Sequence, residues 1–211
     1  MIEQRTPEWH AARCGRINAS RVKDVLAVSK RDCKPLQARE DYATELVLEL
    51  LTGQSRQTPT TFAMQWGIDN EHLARSEYES QRCVLVEDGG FVVHPELDYI
   101  AASPDGLTDA CGIEIKCPFN SGIHLATIEH GMFIEHYAQL QIGMACTGLQ
   151  SWDFISFDPR MPPGLRLYVQ TIQRDEQFIA ESLSACESFF EQVTRRVEYF
   201  RSIEKTEKVR S

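Results

Sequence analysis

The sequence predicts a mixed α/β fold, in which a central mixed β-sheet is flanked by α-helices. One observation behind this prediction is the order of the elements, which runs helices, central strands, helices, strands and a final helix. Another is that no internal repeat, low-complexity tract or linker interrupts the 211 residues. We therefore expect one domain, residues 1–211, with a substantial core.

Capping residues predict two short helices at the start of the chain. Thr6 is followed by proline, which is typical of a helix start, and this helix is expected to end near Arg13. A second helix begins at Asn18 or Ser20 and runs to about residue 27.

Two longer helices follow a polar, basic loop at residues 29–36. The helix over residues 37–52 carries apolar residues at core spacing and is ended by Gly53. Thr60 or Thr61 opens the next helix, which runs to about residue 81.

Strands and helices alternate in the rest of the chain. Strands are predicted at residues 83–87, 90–94, 99–102, 112–117, 152–157 and 165–172. The first two strands are expected to form a hairpin around Asp88-Gly89, and the next two form the central hairpin. Helices are predicted at residues 119–131, 134–147 and 174–205.

The central hairpin carries the charged residues that suggest chemistry. Asp105 lies in a turn made by Pro104 and Gly106, nine residues before Glu114. Because side chains alternate along a strand, Glu114 and Lys116 share one face, and their apolar neighbours take the other. Two carboxylates and an ammonium group are therefore expected to converge.

This arrangement is typical of a site for a hard divalent cation such as Mg²⁺. Asp105, Glu114 and the backbone carbonyl of Ile115 offer the oxygen ligands that this ion prefers. Lys116 is placed to orient or deprotonate a metal-bound water, or to stabilise charge in the transition state. The alternative is an ordinary exposed hairpin, in which Glu114 and Lys116 form a charge pair.

Three other features have both a functional and a structural interpretation. Glu71 is either a third functional acid or an acid paired with Arg75, one helical turn away. Arg13 and Ser20 flank a helix start. Either they bind a phosphate group together, or Ser20 only caps the helix and Arg13 is solvated. Gln139 holds a ligand or water, or it faces solvent.

The charge distribution indicates one concentrated anion-binding surface. The net charge is −9, but residues 1–40 hold nine Lys and Arg against five acids, which leaves −13 for the remainder. A solvated, basic helix face is the alternative interpretation of this stretch.

Composition also bears on the compartment. The seven cysteines form no Cys-x-x-Cys pair, which fits a reducing cytoplasm. No run is long enough for a membrane span, and the first residues lack a signal-peptide pattern. We expect a cytoplasmic protein, with His124, His130 and His136 as surface or interface residues.

A set of motifs extends in order from Trp9 to about Phe178. These motifs are Trp9-His10-x-x-Arg13-x-Gly15, Ala19-Ser20, Trp66-Gly67-x-x-x-Glu71, Ser103-Pro104-Asp105-Gly106-Leu107, Glu114-x-Lys116-Cys117-Pro118-Phe119, Ala138-Gln139-x-Gln141 and Asp158-Pro159-Arg160-Met161. The set is similar to the PD-(D/E)xK nuclease superfamily. Within it, the chain closely resembles the phage lambda exonuclease family, also described as alkaline exonucleases or YqaJ-type recombinases.

The resemblance implies a restriction-endonuclease-like core and an ATP-independent exonuclease that requires Mg²⁺, with Mn²⁺ as a possible substitute. Such an enzyme degrades the 5′-ended strand of linear double-stranded DNA, releases mononucleotides and leaves 3′ single-stranded overhangs. It also implies a ring-shaped homotrimer that encloses DNA. A single-strand annealing protein is the implied partner, in phage-type recombination in the bacterial cytoplasm, encoded by a phage or a prophage.

The resemblance also implies roles for individual residues. Asp105, Glu114 and the Ile115 carbonyl would hold the metal. Lys116 would position or deprotonate the attacking water. Glu71 and Gln139 would complete the metal–water network.

The same resemblance implies how DNA is held. Arg13, Ser20 and Ser103 would bind the 5′-terminal phosphate, which favours the functional interpretation of the first two. Lys30 or Arg31 would supply a basic loop contact. Met64 is the best candidate for an apolar residue that helps to separate the strands at the DNA end.

The chain departs from the resemblance at Gly122, where the lambda enzyme has an arginine that helps to grip DNA. Two alternatives to the exonuclease remain. One is an endonuclease or single-strand exonuclease on the same core, although the cysteines do not supply the four ligands of iron–sulfur relatives. The other is a non-catalytic protein that binds DNA ends.

Overall fold

The computed structural model describes residues 2–29, 31, 34–56 and 59–210. Within these ranges the chain forms seven α-helices and seven β-strands. The helices are α1 Pro7–Arg13, α2 Val22–Val25, α3 Gln37–Thr52, α4 Phe62–Arg82, α5 Ser121–His130, α6 Tyr137–Thr147 and α7 Glu176–Arg210. The strands are β1 Ile17–Asn18, β2 Val92–Val93, β3 Ile100–Ala102, β4 Gly106–Leu107, β5 Gly112–Lys116, β6 Ser151–Phe157 and β7 Leu167–Gln173.

The strands form two mixed sheets. The larger has the order β4-β5-β6-β7, in which β5 and β6 are parallel and the two outer pairs are antiparallel. The chain crosses from β5 to β6 through α5 and α6, as a parallel pair requires. The smaller sheet has the order β1-β3-β2. This arrangement confirms the predicted mixed α/β class. The structure has two sheets where the sequence predicts one central sheet.

Local capping signals account for the helix ends. Thr6 Oγ1 accepts a hydrogen bond from Trp9 N at 3.2 Å, and Thr61 Oγ1 does the same for Met64 N at 3.2 Å. Gly53 ends α3 in the left-handed region, with φ of 68°, where a side chain would be strained. The predicted bounds of α3 are confirmed, and Thr61 rather than Thr60 caps α4.

Strand β5 separates an apolar face from a polar one, as its alternating sequence predicts. Ile113, Ile115 and Cys117 pack with Tyr78 of α4 and with apolar residues of β6. Glu114 points to the opposite side and is buried there. The carboxylate is therefore placed between the sheet and α6 rather than in solvent.

Helix α6 approaches β5 and β6 closely because two glycines surround one indole. Trp152 of β6 is almost fully buried. A Cβ at Gly112 would lie 2.5 Å from this indole, and a Cβ at Gly143 would lie 2.7 Å from it. Any larger residue at either position would therefore push α6 or β5 away from Trp152.

Two predicted hairpins are paired differently in the structure. In the segment predicted as a hairpin at residues 83–94, Glu87 bridges to Leu107 and β2 pairs with β3. The predicted central hairpin is formed by β4 and β5, whereas β3 lies in the smaller sheet. In the first case pairing with segments further along the chain outweighs the local turn signal, whereas in the second β5 pairs with the nearer β4.

Some smaller predictions also need correction. Residues 17–21 form β1 and a short 3-10 helix, so the second helix begins only at Val22. His124 is fully buried, with hydrogen bonds to Ser156 Oγ and Leu165 O at 2.8 Å each, and is not a surface residue. Its ring satisfies polar groups between α5 and β6, which the sequence does not signal.

Residue Asp158, just after β6, anchors the loop that leaves β5. Its side chain is fully buried and accepts hydrogen bonds from Nε and Nη2 of Arg160, each at 2.8 Å. The same guanidinium donates to Phe119 O at 2.9 Å and lies 4.4 Å from the centre of the Trp66 ring. This contact ties α4 to the end of β5.

Among the helices that the structure describes, none combines the length and apolar character needed to cross a lipid bilayer.

Candidate active site

Asp105 precedes β4 and faces the edge of β5. Its backbone N–H donates to Ile113 O at 3.2 Å, and its Oδ2 accepts from Ile115 N at 2.7 Å. The N–H and C=O of one strand residue point to the same side, so the Ile115 carbonyl also faces Asp105. The hairpin thus brings together the carboxylate and the carbonyl that the sequence indicates as metal ligands.

Glu114 lies at the centre of a buried polar network. Its Oε1 accepts hydrogen bonds from Lys116 Nζ and from Nε2 of Gln139, the latter at 2.7 Å. The Glu114 side chain is 3% exposed and the Lys116 side chain 37% exposed. The Lys116 side chain therefore contacts solvent, and the buried carboxylate of Glu114 balances its positive charge. Gln139 faces this network and not solvent.

Glu71 approaches the site from α4, with a partner that the sequence does not predict. Its carboxylate forms an ion pair with Arg5, which lies 66 residues away in sequence. Arg75 donates instead to Asp88 Oδ1 at 2.7 Å and to the backbone carbonyl of Asp105. The alternative in which Arg75 is the partner of Glu71 is therefore wrong.

The clustered carboxylates control the protonation of the site. Burial and the neighbouring charge of Glu114 raise the pKa of Asp105 well above its usual range. Burial opposes the charged form of Lys116, but Glu114 and Asp105 outweigh burial and raise the pKa of this ammonium group. The protonated form of each group is therefore favoured relative to the same group in water.

The donor set fits a hard divalent cation. In the part of the chain that the structure describes, no three acidic, His or Cys side chains already form a closed metal-binding cluster. Mg²⁺ does not require one, because it binds through one or two carboxylates and keeps several waters. Asp105, Glu114, the Ile115 carbonyl and Glu71 supply oxygen atoms only. A cation here would also compensate the negative charge that raises the pKa of Asp105.

The residues predicted to bind phosphate meet at the end of α1. Oγ of Ser103 accepts hydrogen bonds from Arg13 Nη1 at 3.3 Å and from Trp9 Nε1 at 3.0 Å. The guanidinium of Arg13 also lies 4.2 Å from the centre of the Trp9 ring. Burial lowers the pKa of Arg13, and no described carboxylate forms an ion pair with it. An unpaired, partly buried guanidinium is suited to bind an anion.

A narrow pocket connects this group to the carboxylate network. It has a volume of only about 20 Å³, and its lining includes Arg13, Ser20, Ser103, Glu114 and Gln139. Three predicted phosphate-binding residues and two of the predicted catalytic residues therefore surround the same small cavity, whereas Glu71, Asp105 and Lys116 line a neighbouring cleft.

Two larger clefts open beside this pocket. One, of about 550 Å³, is lined by residues including Glu71, Asp105 and Lys116. The other, of about 540 Å³, is lined by residues including Trp9 and Arg13. Met64 lines both clefts, and its side chain is partly exposed. These volumes lie in the range of ligand-binding sites.

The predicted basic loop contact is not part of these clefts. Arg31 lies in an exposed turn, where its backbone N–H donates to Ser29 Oγ at 3.3 Å. It is absent from the described lining of the pocket and of both clefts. Lys30 lies outside the described residues.

Sequence patterns did not assign two residues that lie near the site. Arg5 pairs with Glu71 across the site, and its remote position gives no periodic signal. His136 stacks on Phe154, with ring centres 5.3 Å apart, in the cleft that contains Lys116. Burial and the nearby charge of Lys116 lower the pKa of His136 to about 4, so its ring is neutral at physiological pH.

Comparison with known proteins shows the family and the fold of this chain. Residues 8–150 match the family described as the YqaJ-like viral recombinase domain. The crystal structure of LHK-Exo in complex with dAMP is 37% identical, with a TM-score of 0.87. A second structure of this alkaline exonuclease, from Laribacter hongkongensis, is also 37% identical, with a TM-score of 0.86. Each alignment covers 97% of this chain and 100% of the other.

A more distant structure shares the fold. The phage-related exonuclease from Haemophilus somnus 129PT is 16% identical, with a TM-score of 0.64, over 86% of this chain and 96% of that one. A comparison with curated proteins gave no significant match.

Proposed function

The chain belongs to the family of YqaJ-like viral recombinase domains, and we propose that it is an Mg²⁺-dependent, ATP-independent 5′→3′ exonuclease on linear double-stranded DNA. In this proposal it hydrolyses the 5′-ended strand, releases mononucleotides and leaves 3′ single-stranded overhangs. A single-strand annealing protein then uses the overhangs in phage-type recombination.

The observation that carries this proposal is the narrow pocket. Arg13, Ser20 and Ser103 line it together with Glu114 and Gln139. A terminal phosphate carries more negative charge than an internal phosphodiester, so a guanidinium and two hydroxyl groups favour a phosphorylated end. A 5′-phosphate bound by Arg13, Ser20 and Ser103 would lie beside Glu114 and Gln139 and would bring a nearby phosphodiester close to the carboxylates, which would account for both direction and stepwise removal.

The side chains divide the chemical work. Bound Mg²⁺ would supply Lewis-acid activation of the scissile phosphate and of a water molecule. Asp105, Glu114 and the Ile115 carbonyl would hold it, with Glu71 completing its surroundings. Gln139 orients Glu114 through the 2.7 Å hydrogen bond, which leaves the second carboxylate oxygen for other partners.

Lys116 is the proposed group that positions or deprotonates the attacking water. The carboxylates around it raise its pKa, so it is protonated while their negative charge is uncompensated. Compensation of that charge would lower the pKa of Lys116 and make proton transfer from water easier. The ammonium form would in turn stabilise negative charge on the phosphate.

Relatives support the type of product. LHK-Exo binds dAMP, which is a mononucleotide of the kind that this reaction would release. The family resemblance also supports a ring-shaped homotrimer and action in the bacterial cytoplasm. A ring that encloses DNA tolerates the net charge of −9, because it retains DNA by its shape and needs positive charge only near the site.

The test uses linear duplex DNA labelled separately at each strand end, with 5′-phosphate or 5′-hydroxyl termini, in Mg²⁺, Mn²⁺ or EDTA. We expect metal-dependent loss of mononucleotides from 5′ ends, faster with 5′-phosphate, and no cutting of a circular duplex. Cutting of circles would favour an endonuclease. Binding to ends without any hydrolysis in either metal would favour a non-catalytic end-binding protein.

A further inference from the structure

Arg5 occupies an unusual position beside the proposed metal site. Its backbone has φ of 67°, a left-handed conformation that costs free energy for a residue with a side chain. Its guanidinium forms the ion pair with Glu71. A strained residue that contacts a proposed catalytic acid indicates a role beyond chain connection.

Contacts on both sides fix the segment that carries Arg5, residues 2–6. Gln4 Nε2 donates to the carbonyl oxygen of Pro104 at 2.7 Å, next to Asp105. Thr6 caps α1, the helix that carries Arg13. The backbone of the segment is therefore held between the two halves of the site, and the Arg5 side chain is the part free to move.

The ion pair itself is open to exchange. The Arg5 side chain is 46% exposed and the Glu71 side chain 22% exposed. Ion pairs of this exposure contribute little net stability, so a stronger cation can displace the guanidinium without unfolding the protein. Arg5 also lines both large clefts, where a displaced guanidinium has room.

We propose that Arg5 is an exchangeable counter-ion of Glu71. The guanidinium of Arg5 pairs with the Glu71 carboxylate until a divalent cation binds beside that carboxylate. This inference rests on the proposed function, in which Glu71 belongs to the metal network. Arg5 therefore competes with the cation for Glu71 and lowers the affinity of the DNA-free protein for metal.

The experiment measures binding of Mg²⁺, and separately Mn²⁺, to DNA-free protein by calorimetric titration at low ionic strength. We expect Arg5→Gln to tighten binding about threefold, since loss of the competitor removes an ion pair of this modest strength. Arg5→Lys keeps the positive charge and is expected to stay closer to the original affinity.

Two controls separate local competition from general charge. Arg195→Gln removes the same charge from an exposed position on α7, 3.9 Å from Glu191, and is expected to leave metal affinity unchanged. In a Glu71→Gln background, Arg5→Gln is expected to have no further effect, because the contested carboxylate is gone. Equal melting temperatures for the Arg5 variants would show that the comparison concerns folded protein.

The outcomes distinguish this inference from the proposed function. If Asp105→Asn abolishes metal binding but Arg5→Gln leaves it unchanged or weaker, the counter-ion inference is wrong and the metal site stands. Equal tightening by Arg195→Gln, or tightening that persists without Glu71, also contradicts the inference. If the protein binds no metal, or binds it equally well after Asp105→Asn, both proposals are wrong.

Discussion

Two aspartates near the same strands have opposite surroundings. Burial opposes the charge of Asp158, but hydrogen bonds from Arg160 outweigh burial and lower the pKa of Asp158 to about 2. Burial likewise opposes the charge of Asp105, but here Glu114 adds to the effect, and the pKa rises well above its usual range. The protein compensates the charge of Asp158, whereas at Asp105 the nearby Lys116 and the Ile115 N–H do not outweigh burial and Glu114.

The difference separates a structural acid from a candidate functional one. The fully buried Asp158 holds a loop in place through a guanidinium that is itself held by backbone carbonyls. Asp105 has a backbone N–H at one oxygen and acidic neighbours, an arrangement that costs stability unless a cation binds. Local rules are broken at Asp105 and kept at Asp158, as expected if only the first serves chemistry.

The largest expected effect is on catalysis. Asp105→Asn keeps the size of the side chain but removes its charge, and we expect the rate of Mg²⁺-dependent hydrolysis to fall by roughly a thousandfold or more. Initial rates on linear, 5′-phosphorylated duplex measure this, and a gel shift should show that DNA binding is retained. Asp109→Asn, on the exposed turn of the same hairpin, is the matched control and should keep its rate. Comparable rates for the two variants would contradict the role given to Asp105.

The next effect is on stability and concerns the other aspartate. Asp158→Ala leaves Arg160 without its carboxylate partner, and we expect the free energy of unfolding to fall by roughly 2–3 kcal/mol. Urea denaturation followed by circular dichroism measures this change. A loss below about 0.5 kcal/mol would show that the loop is held without this pair.

A smaller effect concerns the phosphate end of the pocket. Arg13→Ala removes the guanidinium that contacts Ser103, and we expect the preference for 5′-phosphate over 5′-hydroxyl ends to fall by about tenfold. Rates on the two substrates under single-turnover conditions give this ratio. Arg16→Ala is the control, because Arg16 donates to the carbonyl oxygen of Asp98 and should not alter the ratio. Equal losses on both substrates after Arg13→Ala would contradict phosphate recognition.

The smallest expected effect concerns the free energy of unfolding and the charge of Asp105. A raised pKa means that the stability contributed by Asp105 is present below its unfolded-state pKa and lost as pH rises through its folded-state pKa. In EDTA at pH 7 we therefore expect Asp105→Asn to be more stable than the original protein by about 1 kcal/mol, or roughly 2–4 °C in Tm. The difference should disappear as pH falls towards about 4. A variant that is less stable at pH 7 would show that the charge is compensated.

Local signals carried much of the sequence-based prediction. The bounds of α3 and the cap of α1 follow from residues adjacent in sequence, and the two faces of β5 follow from strict alternation. The same alternation placed Glu114 and Lys116 on one face, where they contact each other. The family resemblance, rather than any local pattern, assigned Arg13 and Ser103 to one phosphate site, and the two side chains are hydrogen-bonded in the structure.

Features that depend on distant partners escaped prediction. The two-residue β1 exists only because it pairs with β3, and its sequence gives no strand signal of its own. The ion pair of Arg5 with Glu71 joins residues that are 66 positions apart in sequence. Arg75, only four positions from Glu71, was the partner that the helical spacing suggested. Tertiary contacts decided both cases, and neither has a period or a turn that a sequence could reveal.

The indole of Trp152 between Gly112 and Gly143 has a consequence for how this protein can evolve. The three residues together fix the separation of α6 from β5, and thereby the reach of Gln139 to Glu114. A larger side chain at either glycine is tolerated only if a smaller residue replaces Trp152. We therefore expect these three positions to change as a group during evolution, because together they set the spacing of Gln139 and Glu114.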